Sequence, residues 1–305
     1  MTPTQSDGMP AAQPLDAAAF DRLIAALRPR LHRYCARMTG SVVDGEDVLQ
    51  DALAKALEAL PGVAAIDDAE AWMFRIAHNA ALDHLRQRAR RDAVHADEDV
   101  ALIATSVAVE DEHMAVEAGL RTFMRLPASQ RSCVILKDVL GHSIEEIAGV
   151  LDGATIASVK AALHRGRTRL RELSAETESP RVTALSKREH ALIAAYIDRF
   201  NAHDFDALRA MLADEVRLDL VAKASLRGRA QVGTYYAQYE RIADWRFALG
   251  NVDGRLAALA FDPHDPAGAP IYFVLLNWDG DRLVGIRDFR YARYAVEGAE
   301  FATLA

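Results

Sequence analysis

Thr155–Leu173 reads TIASVKAALHRGRTRLREL, and five of its residues from Lys160 to Arg171 are Lys or Arg with no acid between them. Yet the chain as a whole is acidic, with 44 Asp and Glu against 36 Lys and Arg and a net charge of -8. A general polyanion binder would be basic throughout, so any nucleic-acid contact is expected to be local. Ile156, Val159, Leu163, Gly166, Leu170 and Leu173 recur at alternating intervals of three and four, which is one face of a helix. Lys160, His164, Arg167 and Arg171 share the opposite side. The spacing predicts a helix that packs on its apolar stripe and turns its cations outward.

Upstream, SIEE at 143–146 has the form of a capping box, with Ser143 as cap and Glu146 three residues on. Ile144, Ile147, Ala148 and Leu151 give that helix its stripe. Gly153 suits a left-handed helix end, and Thr155 suits the cap of the next helix. A short helix, a Gly turn and a basic second helix make a helix-turn-helix, whose second helix enters a major groove. The plainer reading is a solvated basic face on an ordinary helical hairpin. Cap, turn and the forward placement of Ser158 and Lys160 favour DNA.

Outward from this motif, 305 residues suggest two or three domains. Cys35 and Cys133 match no metal or disulfide spacing and suit a reducing compartment. The N-terminus lacks the basic and apolar regions of a signal peptide, and no apolar run is long enough to span a membrane. A cytoplasmic protein without membrane contact, metal or cofactor is expected. The chain divides into a disordered tail (1–14), a helical module (15–91), an acidic linker (92–112), a second helical module (113–173), a polar linker (174–186) and a module of different grammar (187–305). PGVAAIDD at 61–68 reads as an inter-helix loop.

In the first helical module, Leu49, Leu53, Ala56 and Leu60 line one face of 44–60, while Glu46, Asp47, Gln50 and Asp51 gather near its start. Such acids stabilise a helix N-terminus through its dipole, or form a docking patch; spacing alone favours the first. Residues 69–91 place Phe74, Ala77, Ala81 and Leu85 inward and Arg75, Asn79, Asp83, Arg86 and Arg90 on another face. With Arg88 and Arg91 this is a second basic surface.

EDVLQDALAKAL and AWMFRIAHNAALDHLRQRARR together resemble the sigma-2 domain of extracytoplasmic-function (ECF) sigma factors of the sigma-70 family. Residues 126–173 resemble the sigma-4 domain, in the right order. The resemblance implies that Glu46, Asp47, Gln50 and Asp51 dock on core RNA polymerase, which reverses the dipole reading. It implies that Arg75, Asn79, Asp83, Arg86, Arg88 and Arg90 meet the −10 promoter element, with a base extruded into a pocket partly built by 61–68. It implies that Ser158, Lys160, His164, Arg165 and Arg167 read the −35 element. Where the family often has an arginine two residues after that lysine, the chain has Ala162, which predicts one contact fewer.

The last module resembles a SnoaL-like domain of the nuclear-transport-factor-2 class, a cone of helices on a curved sheet. Helices are expected at 187–203, 206–213 and 230–243, and strand-like runs at 216–222, 245–252, 255–261 and 270–294. Asp253-Gly254 and Asp279-Gly280 are hairpin dipeptides. Asp219, His264 and Asp288 are the candidate polar residues of its pocket. Alternation leaves open which face of 216–222 points inward. No convincing catalytic constellation is present, so no catalytic residue is assigned.

The expectation is therefore a multidomain chain, two all-α modules followed by an α+β cone. It acts as a sigma factor, with core polymerase and promoter DNA as partners. The cone is expected to regulate by contact with the sigma modules, with a small ligand in its interior as a further candidate partner. The competing readings are a helix-turn-helix regulator with a sensor domain, and a cyclase or isomerase fused to a DNA-binding arm.

Overall fold

The computed structural model describes residues 17–62, 68–93, 119–174, 187–239, 245–265 and 268–304. The tail 1–14, most of the loop 61–68, and nearly all of the linkers 92–112 and 174–186 lie outside them. The chain forms two compact units, Met1–Glu176 and Thr177–Ala305.

The first unit opens with α1 (Ala17–Thr39), α2 (Val42–Ala59) and α3 (Ala69–Ala93). Ser41 caps α2, its hydroxyl accepting from the Val43 and Asp44 amides. Gly45 lies within α2, where a Cβ would stand 2.6 Å from the Ala36 backbone. Glycine there lets α1 and α2 approach closely. Asp44 stands in the first turn of α2, and Glu46, Asp47 and Asp51 lie beyond it. Leu31, Tyr34 and Met38 of α1 meet Leu49 and Ala52 of α2 and Phe74, Ala77 and Ala81 of α3, all buried. Each large apolar side chain buried in this way contributes about 1.5–3 kcal/mol.

The unit continues with α4 (Leu120–Met124), α5 (Ala128–Val134), a π-helical turn (Ile135–Val139), α6 (Ile144–Val150) and α7 (Ile156–Ser174). Both halves of the Ser143–Glu146 capping box are formed. Gly153 takes φ +73° in the turn before α7. Val159, Leu163, Gly166, Leu170 and Leu173 are buried. Ile156 departs from the expected stripe: it is 44% exposed, because the first turn of α7 projects beyond the core.

The α4–α7 residues join the same apolar core as α1–α3. Arg131 of α5 fastens the two sets. Its guanidinium donates to the Met38 carbonyl at 2.6 Å, Leu126 at 2.8 Å and Met124 at 3.1 Å. Burial lowers its pKa to about 10. Phe74 meets the His142 ring edge-on at 4.9 Å.

The second unit has α8 (Lys187–Asn201), α9 (Phe205–Met211), α10 (Arg229–Tyr239) and seven strands: β1 (Leu212–Leu220), β2 (Ala224–Arg227), β3 (Arg246–Val252), β4 (Arg255–Phe261), β5 (Tyr272–Asp279), β6 (Arg282–Asp288) and β7 (Phe301–Thr303). Their order is β2-β1-β6-β5-β4-β3-β7. β1 and β6 run parallel; the other neighbours are antiparallel. Asp253 and Gly254 both take positive φ, 50° and 81°, as a two-residue hairpin turn requires. Val216, Leu218 and Leu220 face the helices and Arg217 and Asp219 the other side, which settles the orientation of β1. Phe200, Tyr236, Tyr239, Trp245 and Phe247 fill the space between helices and sheet.

Candidate nucleic-acid interface

The turn between α6 and α7 presents α7 by its N-terminal end. The Thr155 hydroxyl accepts from the Ser158 amide at 3.1 Å, and the Ser158 hydroxyl accepts from the Thr155 amide at 2.9 Å. Ser158 is thus exposed, but its oxygen closes the helix cap. Beyond it Lys160, His164 and Arg165 form an exposed row. Ile156, expected in the core, heads the same surface.

Arg167 corrects the expectation drawn from periodicity. Its guanidinium grips Asp138 of the π-helical turn with two bonds, Nε at 2.9 Å and Nη2 at 2.5 Å. The Asp138 side chain is fully buried. A bidentate pair of this kind is structural: it neutralises a buried carboxylate and commits the Nε–Nη2 edge of the guanidinium to Asp138. Ala162 is also buried, facing the core rather than the exposed row. An alanine there removes no cation from the exposed side of α7.

The exposed face of α3 is occupied differently. Arg75 donates to the Gly149 carbonyl at 2.6 Å, and its Nε lies 3.6 Å from Asp152. Asn79 reaches Asp152 at 3.4 Å. Both expected −10 residues therefore hold the turn of the helix-turn-helix. Asp83 lies between Lys55 at 3.4 Å and Arg86 at 3.1 Å. Arg88 approaches Asp44 at 3.9 Å and the Thr39 carbonyl at 3.5 Å, while Arg90 is exposed.

On α2, Asp47 and Asp51 are exposed one turn apart. Glu46 departs from the expected patch. Its side chain is fully buried, accepting from Arg28 at 2.5 Å and from Gln50 at 3.3 Å. The α1 face of α2 claims it, one residue round the helix from Asp47.

In the second unit the three candidate polar residues do not converge. Asp219 lies on the outer sheet face, 3.5 Å from Arg287 and 3.4 Å from the Ser225 hydroxyl. His264 is an exposed turn residue whose backbone amide donates to Asp262. Asp288 alone faces the helices. It is fully buried and accepts from the Tyr235 and Tyr239 hydroxyls and from the Arg290 amide. Burial raises its pKa, against the pull of those hydrogen bonds. No sequence signal linked it to Tyr235 and Tyr239, since the pairing spans some fifty residues. Among the described residues no group of three or more His, Cys, Asp or Glu is placed to hold a metal ion. No described helix is long and apolar enough to cross a membrane.

Three family models match the chain: "Sigma-70 region 2" over residues 23–91, "Sigma-70, region 4" over 120–170 and "SnoaL-like domain" over 193–293. The ECF RNA polymerase sigma factor SigM of Mycobacterium tuberculosis is 35% identical over 158 residues, covering 52% of this chain and 78% of that one. This chain belongs to the ECF sigma factors. The RNA polymerase sigma factor CarQ of Myxococcus xanthus is 33% identical to this sigma factor over 164 residues, 52% of this chain and 91% of the relative. The structure of Mycobacterium tuberculosis SigJ is similar at 20% identity and a TM-score of 0.34, covering 88% of this chain and 95% of that one. The matched sigma regions hold α1–α3 and α4–α7, and the SnoaL-like match falls within the second unit.

Proposed function

We propose that this sigma factor directs core RNA polymerase to promoters, with no chemistry of its own. It docks through Asp47 and Asp51 on α2, reads the −35 element with the first turns of α7 and reads the −10 element with α3. The observation that carries this reading is the exposed row Lys160, His164 and Arg165 on a capped second helix. Arg165 is the candidate for a bidentate contact to guanine, and Ile156 for apolar contact with a thymine methyl. The exposed Asp47 and Asp51 support the docking role.

The contacts of Arg75 and Asn79 support a closed resting state. The −35 and −10 elements are about 25 base pairs apart, roughly 85 Å along B-DNA at about 3.4 Å per pair. A compact chain of about 150 residues has a radius of gyration near 15 Å and spans about 40 Å. The α3 face and α7 must therefore part before both elements are read, which frees Arg75 and Asn79. The SnoaL-like unit serves as a regulatory module of the sigma modules. The sealed Asp288 supports that over an enzyme, because neither oxygen is open to a substrate.

Run-off transcription with core polymerase tests the reading, comparing the full chain with a form ending at Glu176. Promoter-dependent transcripts from promoters selected with this protein are expected from at least one form. Their absence from both overturns the sigma-factor assignment to these surfaces. Equal activity from both overturns the regulatory role of the second unit.

A further inference from the structure

The outer face of the sheet carries a feature that promoter recognition does not use. Arg217 of β1 and Arg227 of β2 stand directly opposite each other in the antiparallel register. Both are exposed. Directly opposed like charges on one sheet face destabilise the pair. Among the described residues no carboxylate pairs with either guanidinium. Asp219, on the same face of β1, is already shared between Arg287 and Ser225. Arg287 is further held over the Phe289 ring, 5.3 Å from its centroid.

The two arginines border a groove of about 370 Å³ that also takes in Asp219, Asn277, Gly285 and Arg287. In register, Arg227, Arg217, Gly285 and Asn277 form one row across β2, β1, β6 and β5. Glycine at 285 lets the Asn277 side chain lean over the middle of that row: a Cβ there would lie 3.2 Å from the Asn277 amide nitrogen. The groove thus has an amide donor at one end and two arginines at the other, with the Asp219–Arg287 pair alongside. Its volume falls at the small end of ligand sites, which run from about 300 to 1,000 Å³. It lies on the opposite side of the sheet from Asp288 and the aromatic interior.

We propose that this groove binds a small oxyanion, a phosphate or carboxylate group on a compact body, clamped by Arg217 and Arg227 with Asn277 donating from the far end. The bound anion would cancel the repulsion between the two arginines, so ligand binding and strand pairing of β1 with β2 would reinforce each other. Nothing in this depends on the promoter contacts of the first unit.

The test titrates the full-length chain with inorganic phosphate and, separately, with acetate, withdrawing chloride to hold ionic strength constant. Nitrogen-15 NMR follows the Asn277 side-chain amide and the Gly285 amide. Saturable shifts with a millimolar midpoint are expected for at least one anion, and the better of the two assigns phosphate or carboxylate. In the double variant Arg217→Gln/Arg227→Gln the midpoint is expected to weaken about tenfold or more, because two charge-assisted donors are lost. Without anion that variant should melt at or above the parent temperature, since the opposed charges are gone. The proposal is overturned if neither anion gives a saturable shift, if the double variant keeps the parent midpoint, or if it melts lower than the parent.

Discussion

Helices α3 and α7 have the same outline in the sequence: an apolar stripe on one side and cations on the other. In the folded chain they differ. The leading turns of α7 stand open, with Lys160, His164 and Arg165 facing solvent. The forward part of the α3 face is closed, with Arg75 and Asn79 bonded to Gly149 and Asp152, where the first helix of the helix-turn-helix runs into its turn. Periodicity identifies which side of a helix is polar. What that side touches is decided by long-range packing, here across more than seventy residues.

The contrast is sharpest within α7 itself, between two arginines two positions apart. Arg167→Ala removes the partner of a fully buried Asp138 carboxylate. A loss of about 3–5 kcal/mol of unit stability is expected, seen as an early first transition in thermal or urea unfolding. Replacing both partners, Arg167→Met with Asp138→Leu, should restore most of it, since no buried charge is then left alone. Arg165→Ala should leave stability within about 0.5 kcal/mol of the parent, as surface changes usually do. It should instead cost about 1–3 kcal/mol in binding a −35 duplex, and flatten the preference at one base pair. If Arg167→Ala unfolds no earlier than Arg165→Ala, the division of α7 into a structural and a reading half fails.

Much of this architecture is legible in the sequence, for local physical reasons. Capping at Ser143 and Thr155, the turn at Gly153 and the hairpin at Asp253-Gly254 all depend on neighbouring residues, and each forms as read. What the sequence hides is non-local. Glu46 and Arg167 look like surface charges until Arg28 and Asp138 are known to face them. Ile156 satisfies the helical spacing but lies beyond the end of the core. β2 and β7 are too short to carry an alternation, and they gain strand geometry only by pairing with β1 and β3. The parallel pairing of β1 with β6 joins the first long strand of the sheet to a strand some seventy residues later, with no local signal. Asp219, His264 and Asp288 could be nominated by residue type, but only the fold assigns them to an outer face, a turn and a core.

A smaller effect tests the second unit as the counterpart of the first: a buried acid held by hydroxyls rather than by arginine. Asp288 has a raised pKa because burial outweighs its hydrogen bonds. An acid of this kind binds its proton more tightly in the folded than in the unfolded chain. Its contribution to stability is complete below the usual aspartate value near pH 4 and is lost as pH rises from there through the raised folded value. The second unit should therefore weaken with rising pH over that window. Asp288→Asn, which keeps an acceptor for the tyrosines without the charge, should flatten the dependence. Urea midpoints across acid to neutral pH measure it; a parent curve that rises through the same window would contradict the burial argument.

The smallest expected effect bears most directly on the closed face of α3. Asp152 is 65% exposed and meets Arg75 and Asn79 at 3.6 and 3.4 Å. Exposed pairs of this sort contribute about 0.2–1 kcal/mol. Asp152→Ala should thus change the stability of the unit by no more than about 1 kcal/mol. If the contact competes with the promoter, the same energy reappears as tighter binding, at most about fivefold. Removing an acid beside α7 would also favour any polyanion, so affinity on one DNA does not decide the matter. Two DNAs do. A duplex with only the −35 element senses the lost charge but has no use for Arg75 and Asn79. A promoter fragment with both elements, its −10 strand unpaired, needs those side chains released. A gain confined to the second DNA means that α3 is held in reserve by the helix-turn-helix; an equal gain on both reduces the contact to electrostatics and leaves the two helices more alike than the structure makes them.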